Sequence, residues 1–240
     1  MSNNSTRPSI SVFFPAYNDA HSIGKLVEDA LEVLPGLTDI YEVIVVNDGS
    51  TDETRDVLDE LKSRHEAVRI VEHETNRGYG GALQSGFRTA ANDLVFYTDG
   101  DGQYDVRELV KLFPLLTETV DVVNGYKLER TDNMNRKIIG GFYNRLAHFL
   151  FSLPVRDVDC DFRLIRRPIL GTISLHSTSG SICVELVYKL RKAGANFVET
   201  GVNHYARQHG KSQFFTVRRV SKTLFDFFIL WFKLVVLRKN

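Results

Sequence analysis

Cysteine is nearly absent from this chain of 240 residues, with Cys160 and Cys183 the only two. Two thiols cannot build a disulfide framework, and no Cys or His pairs stand at the short spacing of a zinc site. No secretory leader is read at the start, because Met1 to Ser9 is polar and lacks an apolar core. Both observations lead to the expectation of a reducing, cytoplasmic compartment. Net charge is missing as well, since 30 Lys+Arg balance 30 Asp+Glu, so the total says nothing about partners; no nucleic-acid partner is expected. There is no internal repeat and no low-complexity block. The apolar tail from Leu224 to Leu237 has fourteen residues broken by Asp226 and Lys233. As a helix it would reach roughly 21 Å, short of the roughly 30 Å of bilayer hydrocarbon, so it is not expected to span a membrane.

What the tail does carry is positive charge. From Lys211 onward there are seven Lys/Arg against one acid, Asp226. Basic residues beside Phe225, Phe227, Phe228, Trp231 and Phe232 suit an amphipathic helix, residues 217–240, lying in an anionic lipid surface. The alternative is a helix packed on the core, across a homo-oligomer interface or against a membrane-anchored partner; wetting five aromatic rings would be costly, so some covering surface is needed.

The rest of the chain reads as a regular alternation. Apolar runs of strand type stand at Ile10 to Phe14, Tyr41 to Val46, Val68 to Glu72 and Leu94 to Tyr97, each ended by a polar, turn-forming loop. Helical stretches follow: His21 to Leu34, one through Leu58 and Leu61, and one ending near Ala91. Four such units in succession predict an α/β fold with a mostly parallel sheet and helices on both faces. Beyond them come a helix at Glu108 to Leu116, a strand at Val120 to Tyr126, a long helix at Met134 to Leu153, a short strand at Phe162 to Ile165, a helix at Ser181 to Lys192 and a last strand at Asn196 to Asn203. Tyr205 to Ser212 reads as a loop. Residues 1–216 are read as one domain, with a nucleotide-binding half over about 9–120 and an acceptor-binding half over about 121–216 on a shared sheet.

The chemistry concentrates after the fourth strand, in Asp99-Gly100-Asp101-Gly102-Gln103. Carboxylates at the carboxyl end of a parallel strand face the crevice where open α/β sheets bind ligands. Two hard oxygen donors one residue apart, with glycines that let the backbone bend, suit Mg²⁺ or Mn²⁺ carrying a diphosphate. A plain surface turn is the alternative for a lone DxD. An EF-hand is excluded, because Tyr104 and Val110 stand where that loop needs its Gly and its bidentate Glu.

Four strand-end loops carry PAYN (Pro15 to Asn18), NDGSTD (Asn47 to Asp52), NRGYGGA (Asn76 to Ala82) and DGDGQ (Asp99 to Gln103). In this order they resemble glycosyltransferase family 2, which implies a Rossmann-like nucleotide-sugar (GT-A type) fold. DCDFRLIRR (Asp159 to Arg167) and RQHGKS (Arg207 to Ser212) resemble its dolichyl- or polyprenyl-phosphate branch, the dolichol-phosphate mannose synthase-like enzymes. The likeness covers roughly residues 9–216. It implies nucleotide contacts at Pro15, Tyr17, Asn18 and Gly78, a base or ribose acceptor at Asp48, and a metal-diphosphate site at Asp99, Asp101 and Gln103. It also implies that Lys127, Arg136 and Asn144 lie near the sugar or acceptor phosphate, and that Arg163, Arg207 and Ser212 grip phosphate. Asp19 departs from the family's Glu after PAYN. Tyr79 stands where a basic residue is common, which bears on donor preference.

The implied reaction moves a sugar from a GDP- or UDP-linked donor to a polyprenyl phosphate at the cytosolic membrane face, with inversion. A phosphate monoester is already anionic at neutral pH and needs no general base. A same-fold enzyme acting on a soluble saccharide or protein hydroxyl would need one, with Asp161 or Glu185 as candidates. A non-catalytic nucleotide-sugar binding module has less need of the two aspartates. Each residue also has a structural alternative: Asp48 as a turn cap, Arg163 as a buried partner of Asp159 or Asp161, Glu185 as a core ion pair, His204 and His209 as loop and packing residues, and Arg136 and Arg145 as solvated helix charges.

Overall fold

The computed structural model describes residues 7–128, 134–207 and 217–238, with side chains described throughout except at 134–139 and 217–220. Seven strands form one sheet: β1 (Ile10–Ala16), β2 (Tyr41–Asn47), β3 (Val68–Glu72), β4 (Leu94–Thr98), β5 (Val122–Lys127), β6 (Phe162–Arg166) and β7 (Phe197–Val202). Their order is β3-β2-β1-β4-β6-β5-β7. β1 to β4 run parallel, β7 is parallel to β5, and β6 alone is antiparallel to both its neighbours. The α/β, mostly parallel expectation holds, and strands from before and after residue 120 lie in this one sheet.

β1 is buried at every residue, as a central parallel strand must be when helices cover both faces. Its side chains alternate between two cores. Val12 and Phe14 join Leu26 and Val27 of α1 (Ala20–Leu37), Leu58 of α2 (Thr54–Arg64) and Leu109 of α4 (Leu109–Leu112). Phe13 points the other way, to Ala82 and Leu83 of α3 (Tyr79–Thr89) and Leu186 of α7 (Ile182–Lys192). A third cluster joins α5 (Met134–Phe151), α7 and α8 (Val217–Trp231) through Phe151, Val187 and Phe227.

Four element boundaries differ from the pattern reading, each for a local reason. α1 continues past Leu34 through Pro35 to Leu37, because proline's fixed φ is helical and its missing N–H costs one bond near the end of the helix. The stretch around residues 106–115 breaks into 3₁₀ turns flanking the four-residue α4, with Pro114 opening the second. A short α6 (Arg167–Leu170) follows β6 directly, with Pro168 in its first turn. α8 begins at Val217, where the C-terminal helix is expected to start, but ends at Trp231 and passes into a wider π turn over Phe232–Val236.

Candidate active site

The crevice lies where the strand order turns. β1 is flanked by β2 on one side and β4 on the other, and the carboxyl ends of strands at such a switch point are where doubly wound sheets bind ligands. The loops are stitched together. Asn18, at φ 57°, donates its N–H to Ser50 Oγ at 3.0 Å and accepts from Thr51 N–H at 2.8 Å. Gly100 sits so close to the end of β1 that a Cβ there would stand 2.4 Å from the Pro15 carbonyl oxygen. Pro15 thus borders the DxD loop, while Asn18 joins the β1 loop to the β2 loop.

Asp99 and Asp101 are both partly buried at this junction. Asp99 Oδ1 accepts from the Tyr79 hydroxyl at 2.6 Å. Asp101 Oδ1 accepts from the Gln103 N–H at 3.0 Å, and its Oδ2 is ion-paired with Arg207. Arg207 also lies 4.0 Å from Asp19. Burial pushes the Asp99 carboxyl well above the usual range, the charges of Asp161 and Asp101 push it further, and the Tyr79 bond and Lys127 pull it back. Asp19 is pushed up to about 6, chiefly by burial, against the Tyr17 N–H that holds its carboxylate. The junction therefore holds more negative charge than it solvates well.

Beneath it lies a buried polar floor. Strand register aligns Tyr97 of β4, Arg163 of β6 and Asn124 of β5 in one row. The fully buried Arg163 guanidinium donates to Asn124, to the Tyr97 hydroxyl and to the Val158 carbonyl, and it pairs with Asp161 at 2.6 Å. Cys183 at the start of α7 donates its thiol to the same Asp161 at 3.3 Å. Both cysteines are buried and free, and burial pushes Cys160 up to about 12.

Several expected ligand contacts prove to be internal. Arg163 does not reach out to a phosphate, because its donors are spent inside the sheet. Asp48 is buried, and its Oδ1 accepts from His73 at 2.6 Å and from the Arg77 N–H at 2.8 Å. It is thus a tie between two loops, not an open acceptor for a base or ribose. Asn144 clamps the 156–158 loop through the Arg156 carbonyl at 2.6 Å and the Val158 N–H at 3.1 Å. Gln103 binds Tyr205 through its amide at 3.0 Å, so its side chain fastens the segment that carries Arg207. Lys127 donates to the Asp159 carbonyl at 2.9 Å. Glu185 is an ion pair with Lys189 at 2.8 Å and holds the His176 and Ser177 N–H groups. His204 packs edge-on against Tyr104, and Arg145 is solvent-exposed. The side chain of Arg136, and Ser212 and His209 altogether, lie outside the described residues.

The residues present fit a divalent cation carrying a diphosphate. Among the described residues no three His, Cys, Asp or Glu side chains form a closed cage. Mg²⁺-type sites, however, use one or two carboxylates and take the remaining oxygens from substrate phosphates and water. Asp99 and Asp101 supply that pair, and their crowding with Asp161 is what a dication would relieve.

Comparison with known proteins agrees with this architecture. The family model described as Glycosyl transferase family 2 matches residues 11–173. Glucosyl-3-phosphoglycerate synthase from Mycobacterium tuberculosis, solved with Mn²⁺, UDP and glucosyl-3-phosphoglycerate, superposes with a TM-score of 0.73 at 18% identity, over 94% of this chain and 79% of that one. The same enzyme with Mn²⁺ and UDP-glucose gives 0.68 at 20%, over 91% and 78%. With phosphoglyceric acid it gives 0.66 at 17%, over 94% and 79%. At such identity the likeness establishes the fold.

Two outcomes are expected of the site's charges. Arg163→Met strands Asp161 in the interior and should cost about 3–5 kcal/mol in urea unfolding. Because the folded protein raises Asp19 from 3.8 to about 6, folding binds a proton between those values, and this group's contribution to stability falls as pH rises through that window. Asp19→Asn should remove that slope, so that its stability relative to wild type grows from about pH 4 to about pH 7 in the same unfolding series.

Proposed function

The chain belongs to glycosyl transferase family 2, and from that premise we propose that it transfers a sugar from a nucleoside-diphosphate donor to a polyprenyl phosphate at the cytosolic face of a membrane. The donor nucleotide is taken between the β1 and β2 loops, with its diphosphate at Asp99 and Asp101. A bound Mg²⁺ or Mn²⁺ would neutralise the departing diphosphate. Arg207, which pairs with Asp101, can exchange that carboxylate for a phosphate oxygen, and Lys127 adds a second cation whose charge acts on Asp99. The acceptor displaces the diphosphate in a single step with inversion.

The observation that carries the acceptor class is the state of the two candidate bases. Asp161 is buried and paired with Arg163 at 2.6 Å, and Glu185 is buried and paired with Lys189 at 2.8 Å. Neither is free to take a proton from a hydroxyl. A phosphate monoester, whose second ionisation lies near about 6, arrives already able to attack. The lipid portion has support in the exposed rings of Phe225 and Phe228 on α8, of Phe232 in the π turn after it, and of Phe142 and Phe149 on α5. Lys222, Lys233, Arg145 and Arg238 are exposed on the same two helices and the turn that follows them. No helix among the described residues is long and apolar enough to cross a membrane, so these side chains suit an interfacial seat. The phosphoglycerate of the superposed enzyme favours a second reading, a soluble phosphorylated acceptor.

Radiolabelled GDP- and UDP-sugars offered with a short polyprenyl phosphate or with 3-phosphoglycerate should label the lipid only in the presence of Mg²⁺ or Mn²⁺. EDTA should abolish the labelling, and Asp101→Ala should lower the rate by about 10²–10³-fold. Labelled phosphoglycerate without labelled lipid would move the acceptor to the soluble class. The protein should also sediment with anionic vesicles and not with neutral ones, and Phe225→Ser/Phe228→Ser should weaken that binding about tenfold or more. A protein that stays in the supernatant, or elutes as a dimer through this face, rules out the lipid seat.

A further inference from the structure

Tyr79 is the first residue of α3, and its ring packs against the Ala82 and Leu83 cluster. Its hydroxyl donates to Asp99 Oδ1 at 2.6 Å, although the two residues lie on different strand-end loops. What lets this side chain hold so short a bond is the fixing of the start of α3. The Gly80 N–H donates to the Thr178 carbonyl at 3.0 Å, and Gln84 donates to the Ser177 carbonyl at 2.9 Å. Contact with the 177–178 segment is so close that a Cβ on Gly80 would stand 2.1 Å from the Ser177 oxygen. At Gly78, where φ is +80°, a Cβ would stand 2.6 Å from the Thr178 oxygen.

That segment is itself anchored. Glu185 of α7 accepts the His176 N–H at 3.1 Å and the Ser177 N–H at 2.8 Å, and Lys189 ties Glu185 to the Ser174 carbonyl. A continuous mechanical line therefore runs from a buried ion pair on α7, through the 174–178 segment and the glycines of the α3 start, to one oxygen of Asp99.

We propose that Tyr79 is a positioning residue for the cation site: it occupies Asp99 Oδ1 and turns the carboxylate so that Oδ2 is the oxygen presented to the cation. This rests on the reading of Asp99 and Asp101 as the cation pair. A carboxylate free to rotate must be ordered when the ion binds, whereas one already pinned by a neutral donor is not, and outer partners of this kind are commonly worth 10–100-fold in metal affinity. A basic side chain at this position would also neutralise Asp99. Tyrosine orients the carboxylate and leaves its charge for the cation.

The test is Mn²⁺ affinity in the presence of UDP, read from the electron paramagnetic resonance signal of free Mn²⁺, for wild type, Tyr79→Phe, Asp99→Asn and the double variant. Tyr79→Phe keeps the ring packing and should leave the thermal midpoint and metal-free UDP affinity little changed. It should weaken Mn²⁺ binding about 10–100-fold. In turnover it should raise the KM for Mn²⁺ while kcat recovers at saturating metal. In the Asp99→Asn background the Tyr79→Phe change should do nothing further, because its effect passes through that carboxylate. Wild-type affinity in Tyr79→Phe, or an undiminished effect in the Asp99→Asn background, overturns the positioning role while leaving the cation pair in place. Absence of Mn²⁺ binding by the wild type overturns the cation pair and the positioning role together.

Discussion

The rest of the structure depends on one buried cation. Arg163 sits in the middle of a sheet, with no exposed surface, where an unpaired guanidinium would cost several kcal/mol. The fold meets that cost by converging three strands and a helix on it: the Tyr97 hydroxyl from β4, Asn124 from β5, Asp161 just before β6, and through Asp161 the Cys183 thiol of α7. Each partner is satisfied by the others, so the group must be assembled as a whole. That requirement selects the register in which Tyr97, Arg163 and Asn124 face one another. It also places Asp161 near enough to Asp99 for its charge to act on that carboxyl.

From that floor the electrostatics of the crevice follow. Asp161 and Asp101 disfavour ionisation of Asp99, and Asp101 does the same to Asp19. The protein answers with Arg207, which reaches Asp101 and approaches Asp19, and with Lys127 held by the 157–159 loop. The cations at the junction are thus already paired with acids or carbonyls of the protein, while burial and crowding still hold Asp99 and Asp19 above the usual carboxylate range. This differs from a site in which arginines wait in solvent for phosphate, because here much of the cationic charge is already assigned to protein groups.

Much of the fold was legible in sequence because its signals are local. The seven strands were all expected within a few residues of where they lie, since apolar runs ended by Asn, Asp and Gly report strand ends directly. The four loops at the crevice were expected for the same reason. The roles of single residues within them were less legible. Asp48 and Asp99 look alike in sequence, each ending a strand and preceding a glycine, yet Asp48 is consumed by His73 and the Arg77 N–H while Asp99 stands at the junction with one oxygen taken by Tyr79. Arg163 and Arg207 were both grouped as phosphate-gripping, yet one is interior and the other borders the crevice. Tyr79 and Asp19 were visible only as departures from a family pattern, with nothing nearby to say what they touch.

The sequence by itself determined the order of elements, the parallel character of the sheet and the polar loops at its strand ends, because periodicity and turn chemistry act over a few residues. The tertiary structure alone decided which charges are spent inside the protein and which remain for a ligand. Those pairings join residues far apart in the chain: Arg163 lies 66 positions from Tyr97 and 39 from Asn124, and Arg207 lies 106 from Asp101. The desolvation that fixes the behaviour of each group exists only once the strands are in register.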